Sequence, residues 1–227
     1  MITLHIEVPY ASFRQSYARS LAETYPFPPP ATVYGMLLSL VGEYFRAKHS
    51  GVKLAFAYAK QPKIATTLRK FSRFKYGVAS KQSKLGNAPD FVDTLCEIKF
   101  LCWVDSSAES NQEITLESRI QESLQFPERV TRTGILSLGL SDDAVNDVSL
   151  ISESQEKWHW LTPANNGEIE LPIWVDHIGS INTRWQRYSF DVNPSIINHQ
   201  PPPEKFTPII DPHSYNLSKL NLGDRLN

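Results

Sequence analysis

The chain has 227 residues, 41% of them hydrophobic, and a formal net charge of −1. It is long enough to bury one core with a smaller lobe attached, and no run of eighteen apolar residues that could span a membrane is present. The strand-like N-terminus lacks a basic stretch, which argues against a secretory signal. Cys96 and Cys102 lie too far apart along one predicted strand to bond to each other. We therefore expect a cytoplasmic protein with buried thiols and neither a disulfide nor a zinc site.

Charge is distributed unevenly along the chain. Between Tyr44 and Pro89 there are eleven lysine or arginine residues and no carboxylate, so all 24 acidic residues lie elsewhere. A basic segment within an acidic remainder is typical of polyanion binding. The alternative is a solvated surface on which basic residues cluster by chance.

The first element is a half-buried strand. Ile2, Leu4, Ile6 and Val8 alternate with polar residues, and Pro9 is expected to end the strand. The loop that follows combines aromatic and arginine side chains, at Phe13, Arg14, Tyr17 and Arg19. Such residues suit base stacking and phosphate pairing, although an ordinary loop anchored by its aromatics is an equal alternative.

A proline-rich turn then leads into an amphipathic helix. The helix is expected to begin at Pro30 or Ala31, with Thr32 near enough to cap it, and to stop at Gly51. Its buried face is predicted from the spacing of Val33, Met36, Leu37, Leu40, Val41, Tyr44 and Phe45. A second stripe of small residues, Gly35, Ser39 and Gly42, would let another backbone lie close.

After a strand over residues 52–59, residues 60–84 mix basic and aromatic side chains in an extended pattern. Lysine and arginine neutralise phosphates while aromatic rings accept unstacked bases, as in proteins that bind single-stranded RNA. The residues concerned are Lys63, Arg69, Lys70, Phe71, Arg73, Phe74, Lys75, Tyr76, Lys81 and Lys84. An amphipathic membrane helix would require a helical period that this stretch lacks.

The remaining elements complete an α+β pattern. A third strand over residues 93–104 is apolar on one face and partly apolar on the other, and a helix over residues 114–129, a glycine-containing loop and a fourth strand follow. The order strand, helix, strand, strand, helix, strand predicts a ferredoxin-like domain of the kind found in RNA recognition motifs, over residues 1–155. Residues 156–192 are predicted to form a β-rich extension and residues 193–227 a proline-rich extended tail.

Several blocks resemble the Cas five family of CRISPR-associated proteins, and more narrowly its Myxococcus-type branch in type I systems. They are "SFRQSYARSLAETYPFPPPATVYGMLLSLVGE", "LRKFSRFK", "PDFVDTLCEIKF" and "PERVTRTGILSLGLSD". The resemblance implies a ferredoxin-like RAMP protein, without a catalytic site or cofactor, that caps one end of the Cascade complex and holds the 5′ handle of the CRISPR RNA. Its implied partners are the CRISPR RNA, the Cascade backbone subunit, the large subunit and, indirectly, target DNA.

The resemblance also assigns site residues. Pro30, Thr32, Tyr34 and Gly35 would lie against the handle, where a helix N-terminus offers N–H groups to phosphate. Residues 75–89 would form the tip of a basic β-hairpin thumb, the hairpin spanning about residues 62–100. A loop around Gly134 and Gly139 would complete the groove, with Arg129 and Arg132 nearby.

Two alternatives stay open. One branch of the family cuts precursor RNA without metal, using a tyrosine, a lysine and a histidine; His5 or His49 would be tested for that role, although a surface histidine is the better reading of His5. The second alternative is a docking subunit whose C-terminal region recruits transposition proteins to a transposon-associated Cascade. Asp211 and His213 are not expected to bind metal.

Overall fold

The computed structural model describes residues 1–15, 21–73, 86–110, 112–176, 181–197 and 200–212, with the backbone alone for 69–73 and 86–90. The two α-helices are α1 (Pro30–Leu40) and α2 (Leu116–Gln125), and short 3-10 helices lie at Arg46–His49, Pro127–Arg129 and Pro203–Lys205. The strands are β1 (Ile2–Ala11), β2 (Leu21–Ala22), β3 (Lys53–Tyr58), β4 (Lys63–Arg73), β5 (Gly86–Asp105), β6 (Asp147–Leu150), β7 (Lys157–Pro163), β8 (Ile169–Trp174), β9 (Arg184–Phe190), β10 (Ser195–Ile196) and β11 (Thr207–Pro208). Within the described ranges no helix is long and apolar enough to cross a membrane.

The main strands join into one sheet in the order β6-β1-β5-β3-β7-β9-β8. Within its first four strands every pairing is antiparallel. If the short β2 and the hairpin strand β4 are set aside, the chain passes through this half as strand, helix, strand, strand, helix, strand. The predicted α+β class, rich in sheet and with few helices, is therefore confirmed.

The C-terminal strands extend the same sheet. Residues 56–58 of β3 pair with residues 159–161 of β7, and β9 and β8 follow outward. Leu171, Trp174 and Tyr188 from β8 and β9 belong to the same buried cluster as α1 and β1. The segment predicted as a β-rich extension therefore shares the main core.

Side chains of β5 alternate between two apolar layers. Phe100 points into the main core beneath the helices, whereas Leu101 and Trp103 point to the opposite face. On that face Trp103 stacks on Trp160, with 4.8 Å between ring centroids, and Trp158 is buried beside them. The two-faced apolar pattern predicted for this strand is confirmed.

Helix α1 is shorter than predicted. Its N-cap residue is Pro29 and no side chain caps the helix, so the predicted cap at Thr32 is wrong. The helix ends at Leu40 because Gly42, with φ of 66°, adopts the left-handed conformation that closes a helix. Two backbone bonds mark this closure, from Gly42 N–H to Ser39 O at 3.1 Å and from Glu43 N–H to Leu38 O at 2.8 Å. Tyr44 and Phe45, predicted on the buried face, lie beyond the helix and are exposed.

Strand β1 continues to Ala11, past the proline that was expected to end it. On its outer side β1 pairs with β6, and the described pairs involve residues 4–7 of β1. Pro9 lies beyond these pairs, so its missing N–H group interrupts no hydrogen bond to β6. Off the main strand order of the sheet, β4 pairs with residues 86–96 of β5 as an antiparallel hairpin.

The described part of the tail packs on the chain itself. β11 pairs with residues 53–54 of β3, beside the part of β3 that pairs with β7. Ile209 is fully buried and exchanges backbone hydrogen bonds with Gly51 and Val52, both at 2.8 Å. This part of the tail therefore completes the outer edge of β3.

Candidate functional site

The outward face of α1 forms the floor of a groove. Thr32, Gly35 and Ser39 line a cavity of about 480 Å³, and Gly139 and Val175 from other parts of the chain line it as well. A Cβ atom added at Gly35 would have no heavy atom within 4 Å, so nothing in the described chain covers the middle of this helix face. We call this cavity the helix groove.

One wall of the helix groove is a loop held by a buried carboxylate. Asp143 Oδ2 accepts hydrogen bonds from Ser12 N–H at 2.8 Å and Leu140 N–H at 2.9 Å. Gly139 lies between them with φ of 111°, and a Cβ atom there would lie 2.9 Å from both Ser12 O and Asp143 Oδ2. Glycine therefore lets this loop lie directly against the chain that follows β1.

A second cavity, of about 330 Å³, lies at the N-terminal end of α1 and shares Thr32, Gly139 and Val175 with the helix groove. Its walls include three aromatic side chains, Phe13, Tyr25 and Trp185, together with Arg14. We call this cavity the aromatic pocket. The shared residues make the two cavities one continuous surface.

Basic side chains line the helix groove. Arg46 is fixed, because its guanidinium lies 4.5 Å from the Trp174 ring centroid and donates a hydrogen bond to Val175 O at 2.7 Å. Arg132 also lines the groove and is exposed. Arg46 was not among the predicted site residues; its position in the basic segment was the one available signal.

The acidic residue on the groove, Glu43, is neutralised by cations. Lys48 Nζ lies 2.7 Å from its carboxylate, and Arg119 makes a second ion pair. Burial alone would raise the pKa of Glu43, but hydrogen bonds from Lys48, the Phe45 N–H and Arg119 lower it to about 2. The carboxylate is thus ionised and paired, and it leaves little net negative charge in the groove.

The structure brings together part of the predicted site. The two cavities are lined by six of the predicted residues, namely Phe13, Arg14, Thr32, Gly35, Arg132 and Gly139. Pro30 and Tyr34 are buried instead, and Tyr34 Oη donates to Arg46 O at 2.6 Å. These two placements differ from those expected of RNA contacts, because both residues lie on the inward face of α1.

Two further predicted residues lie off the groove. Gly134 lines a further cavity beside α2, which shares Arg132 with the helix groove. Arg129 stacks on Phe126, with its guanidinium 4.1 Å from the ring centroid. Both nevertheless lie in the same exposed stretch of chain as Arg132.

The predicted hairpin residues are described only in part. Lys63, at the base of β4, lies 3.8 Å from Glu97, which also pairs with Lys60 at 2.5 Å. Arg69, Lys70, Phe71 and Arg73 lie on β4. The other predicted residues, Tyr17, Arg19, Phe74, Lys75, Tyr76, Lys81 and Lys84, lie outside the described residues.

The described histidines do not line either cavity. His49 is fully buried, with Nδ1 2.9 Å from Glu109 Oε2. His5 is largely covered: it packs edge-on against Trp158 and lies 3.6 Å from the carboxylates of Glu7 and Asp147. Among the described residues no cluster of metal-binding side chains is present.

Comparisons with known proteins match this chain to one family. Residues 1–94 match the family model described as CRISPR-associated protein (Cas_Cas5). The CRISPR-associated protein Cas5 of Myxococcus xanthus (strain DK1622) is 38% identical over 188 residues, which cover 82% of this chain and 88% of that protein. A chain of a solved "CRISPR RNA-guided surveillance complex" superimposes with a TM-score of 0.55 at 11% identity, covering 90% of this chain and 95% of that one, and so shares the fold. The resemblance read from the sequence blocks is confirmed, and this chain belongs to the Cas5 family of CRISPR-associated proteins.

Proposed function

We propose that this protein is the Cascade subunit that binds and caps the 5′ handle of the CRISPR RNA, and that it does so without catalysis. Family membership and the fold shared with a surveillance-complex chain support a place in Cascade. The finer assignment depends on the two cavities described above.

We also propose that the first half of the sheet is a ferredoxin-like RAMP domain and that the β4–β5 hairpin is its thumb. The antiparallel order β6-β1-β5-β3 with helices in the two crossovers is the arrangement of the split β-α-β fold. In this hairpin β4, which carries Lys63, Arg69, Lys70, Phe71 and Arg73, pairs with residues 86–96 of β5.

The observation that carries the proposal is the uncovered floor of the helix groove. Glycine in the middle of a helix costs about 0.5–1 kcal/mol relative to alanine, yet no neighbour of Gly35 among the described residues would require it. A ligand backbone that approaches α1 closely would require a residue without a side chain. Arg46 and Arg132 beside this floor favour a polyanion.

The absence of catalysis is supported by the placement of the described histidines and of Tyr34. His49 and Tyr34 are buried, and burial raises the pKa of Tyr34 so that its phenol stays protonated. In this proposal the protein acts in the cytoplasm with the backbone and large subunits of Cascade. Base pairing of the guide RNA would read the target DNA sequence.

A substitution in the groove floor tests the proposal in the assembled complex. Gly35→Glu places a carboxylate where phosphate would lie, and we expect the amount of CRISPR RNA that copurifies to fall at least about tenfold. Gly35→Ala separates bulk from charge: its methyl group lies where the ligand backbone would approach, so the copurified CRISPR RNA should fall, but by less than in Gly35→Glu. In the same variant the free energy of unfolding should rise by about 0.5–1 kcal/mol. CRISPR RNA retained at the wild-type level by a folded Gly35→Glu complex would overturn the assignment.

Cleavage is tested separately by incubating the purified protein with repeat RNA in the presence of a chelator. We expect intact RNA. Site-specific cleavage that is lost in His5→Ala, His49→Ala or His177→Ala would show that the protein is an endoribonuclease. His177 is included because it follows groove residue Val175 closely in sequence, although it lies outside the described residues.

A further inference from the structure

The aromatic pocket is built partly from a region to which the sequence blocks assign no role. Trp185 lies on β9, in the C-terminal part of the sheet, and is paired in register with Pro172 of β8. Tyr25 comes from the turn before α1 and is buried. The sheet extension therefore supplies one wall of a cavity that begins at the first turn of α1.

The indole of Trp185 packs near the Tyr25 ring on one side and is partly exposed to solvent. Its ring centroid lies 6.2 Å from that of Tyr25, and the two ring planes are tilted by 55°. The rings therefore do not lie flat on each other, and Trp185 remains 41% exposed. An exposed aromatic ring held on a rigid strand is a stacking platform with little conformational entropy to lose.

The shape and charge of the pocket restrict its ligand. Its volume of about 330 Å³ is at the small end of ligand pockets, which span about 300–1,000 Å³. Of the described residues that line it none is acidic, Arg14 is at its exposed rim, and the hydroxyl-bearing Ser12, Thr32 and Thr183 supply polar groups. A flat aromatic group attached to an anion fits these walls.

The pocket opens onto the helix groove through Thr32, Gly139 and Val175. A phosphate backbone that follows the groove past the first turn of α1 would therefore bring its bases to the edge of the pocket. Aromatic platforms beside basic grooves hold single-stranded nucleic acid by stacking on successive bases.

We propose that the aromatic pocket receives one unstacked nucleobase, which stacks on Trp185. This inference rests on the proposed function, which it deepens by assigning a base-binding role to the C-terminal strands. The same chemistry is presented by the CRISPR RNA and by single-stranded DNA, and the experiment distinguishes the two sources.

The test measures the affinity of the full chain for fluorescently labelled repeat RNA and for DNA of the same sequence. Each probe is also made as a set in which one nucleotide at a time lacks its base. For the wild-type protein we expect one abasic position in the RNA set to weaken binding about tenfold, the typical effect of losing one base stack. Trp185→Ala should weaken binding of the intact RNA by a similar factor.

The two losses should not add. In Trp185→Ala the same abasic position should have no further effect, because base and indole are the two halves of one contact. Trp185→Phe keeps a ring and should retain most of the affinity. Phe45→Ala is the matched control, since it removes an exposed aromatic ring that lines neither cavity.

One outcome would overturn this inference and leave the proposed function intact. In that outcome the wild-type protein binds RNA and Gly35→Glu does not, yet neither Trp185→Ala nor the removal of any single base lowers the affinity. Binding of the DNA set alone, with the same dependence on Trp185, would support the pocket and overturn the proposed function. If the losses from the abasic position and from Trp185→Ala add, the missing base and the indole are not in contact with each other. That result would overturn the inference.

Discussion

Glu43 links the end of α1 to α2 through ion pairs. Its carboxylate pairs with Lys48 and Arg119, and Arg119 Nη1 also lies 3.1 Å from His49 Nε2. His49 in turn contacts Glu109, whose carboxylate accepts a hydrogen bond from Leu116 N–H at the start of α2. A histidine considered for catalysis is therefore part of a buried network between the two helices.

This network predicts a dependence of stability on pH. The pKa of Glu43 is lowered to about 2 in the folded protein, so its contribution is fully present above its ordinary pKa of 4.5 and is lost as the pH falls through 2. We expect Glu43→Gln to be less stable than the wild type at pH 7 and the difference to shrink between pH 4.5 and 2. Urea unfolding at a series of pH values measures both; a difference that does not vary with pH would contradict the prediction.

Gly139 tests how tightly the groove loop must pack. Gly139→Ala meets both a left-handed backbone and the 2.9 Å approach to Ser12 O, and we expect it to lower the free energy of unfolding by about 1–3 kcal/mol. Gly134→Ala has a similar backbone, with φ of 80°, but open space around its Cβ. Chemical denaturation should show a clearly smaller loss for Gly134→Ala; equal losses would mean that the contact with Ser12 contributes nothing.

At the scale of elements, the termination of α1 separates buried from exposed apolar residues. Leu37 is fully buried in the last full turn, whereas Phe45 is 77% exposed after the Gly42 closure. The helical spacing of apolar residues continues to Phe45 in the sequence, but Phe45 does not belong to the buried face of α1.

Two truncations check this boundary. Leu37→Ala should lower the free energy of unfolding by about 2–5 kcal/mol, because it leaves a cavity in the core. Phe45→Ala, the control, should change it by less than about 0.5 kcal/mol, since its ring is exposed. A comparable loss for both variants, measured by denaturant unfolding, would place Phe45 on the buried face that the sequence predicted.

Strand β5 is the other long element, and it changes partner along its length. Residues 100–105 pair with β3, whereas residues 86–96 pair with β4. Between the two pairings Glu97 has a positive φ of 57° and pairs with Lys60 and Lys63. The change of partner along β5 therefore coincides with a left-handed backbone position and two exposed ion pairs.

At the scale of the whole molecule, the described part of the tail pairs with β3 and contributes to the main core. Ile209 lies in the main core, and Tyr188 Oη is 2.7 Å from Thr207 Oγ1 across the edge of the sheet. Deleting residues 201–227 to test recruitment of transposition proteins would remove this contact as well. Loss of recruitment in that variant would thus report on folding as much as on docking.

Because the described tail packs into the core, one of its side chains should contribute strongly to the free energy of unfolding. Ile209→Ala should lower the free energy of unfolding by about 2–5 kcal/mol, because Ile209 is fully buried. Ile196→Ala, at a residue that is 47% exposed in the same tail, should have a much smaller effect. If thermal or denaturant unfolding shows no loss for Ile209→Ala, the tail is not part of the core.

The sequence by itself determined the local pattern and the family. Alternation predicted β1 and both faces of β5, the helical period predicted α1 and α2, and the sequence blocks identified the Cas5 family. Secondary structure and family membership could be predicted because both depend on residues that are close together or in a fixed order along the chain. The end of α1 was misplaced because Gly42 has two readings, a small residue on a helix face or a left-handed closure, and the backbone decides between them.

The tertiary structure alone decided which residues meet. Trp185 and Tyr25 are 160 positions apart in the sequence, and no local pattern links them. The pairing of β8 with β9 and the packing of β8 on α1 nevertheless bring both to one pocket. The same long-range packing turned Tyr34 inward and left Gly35 open, although both lie on one predicted helix. Burial and proximity arise from contacts between distant segments of the chain. The floor and walls of the groove could therefore be identified only from the tertiary structure.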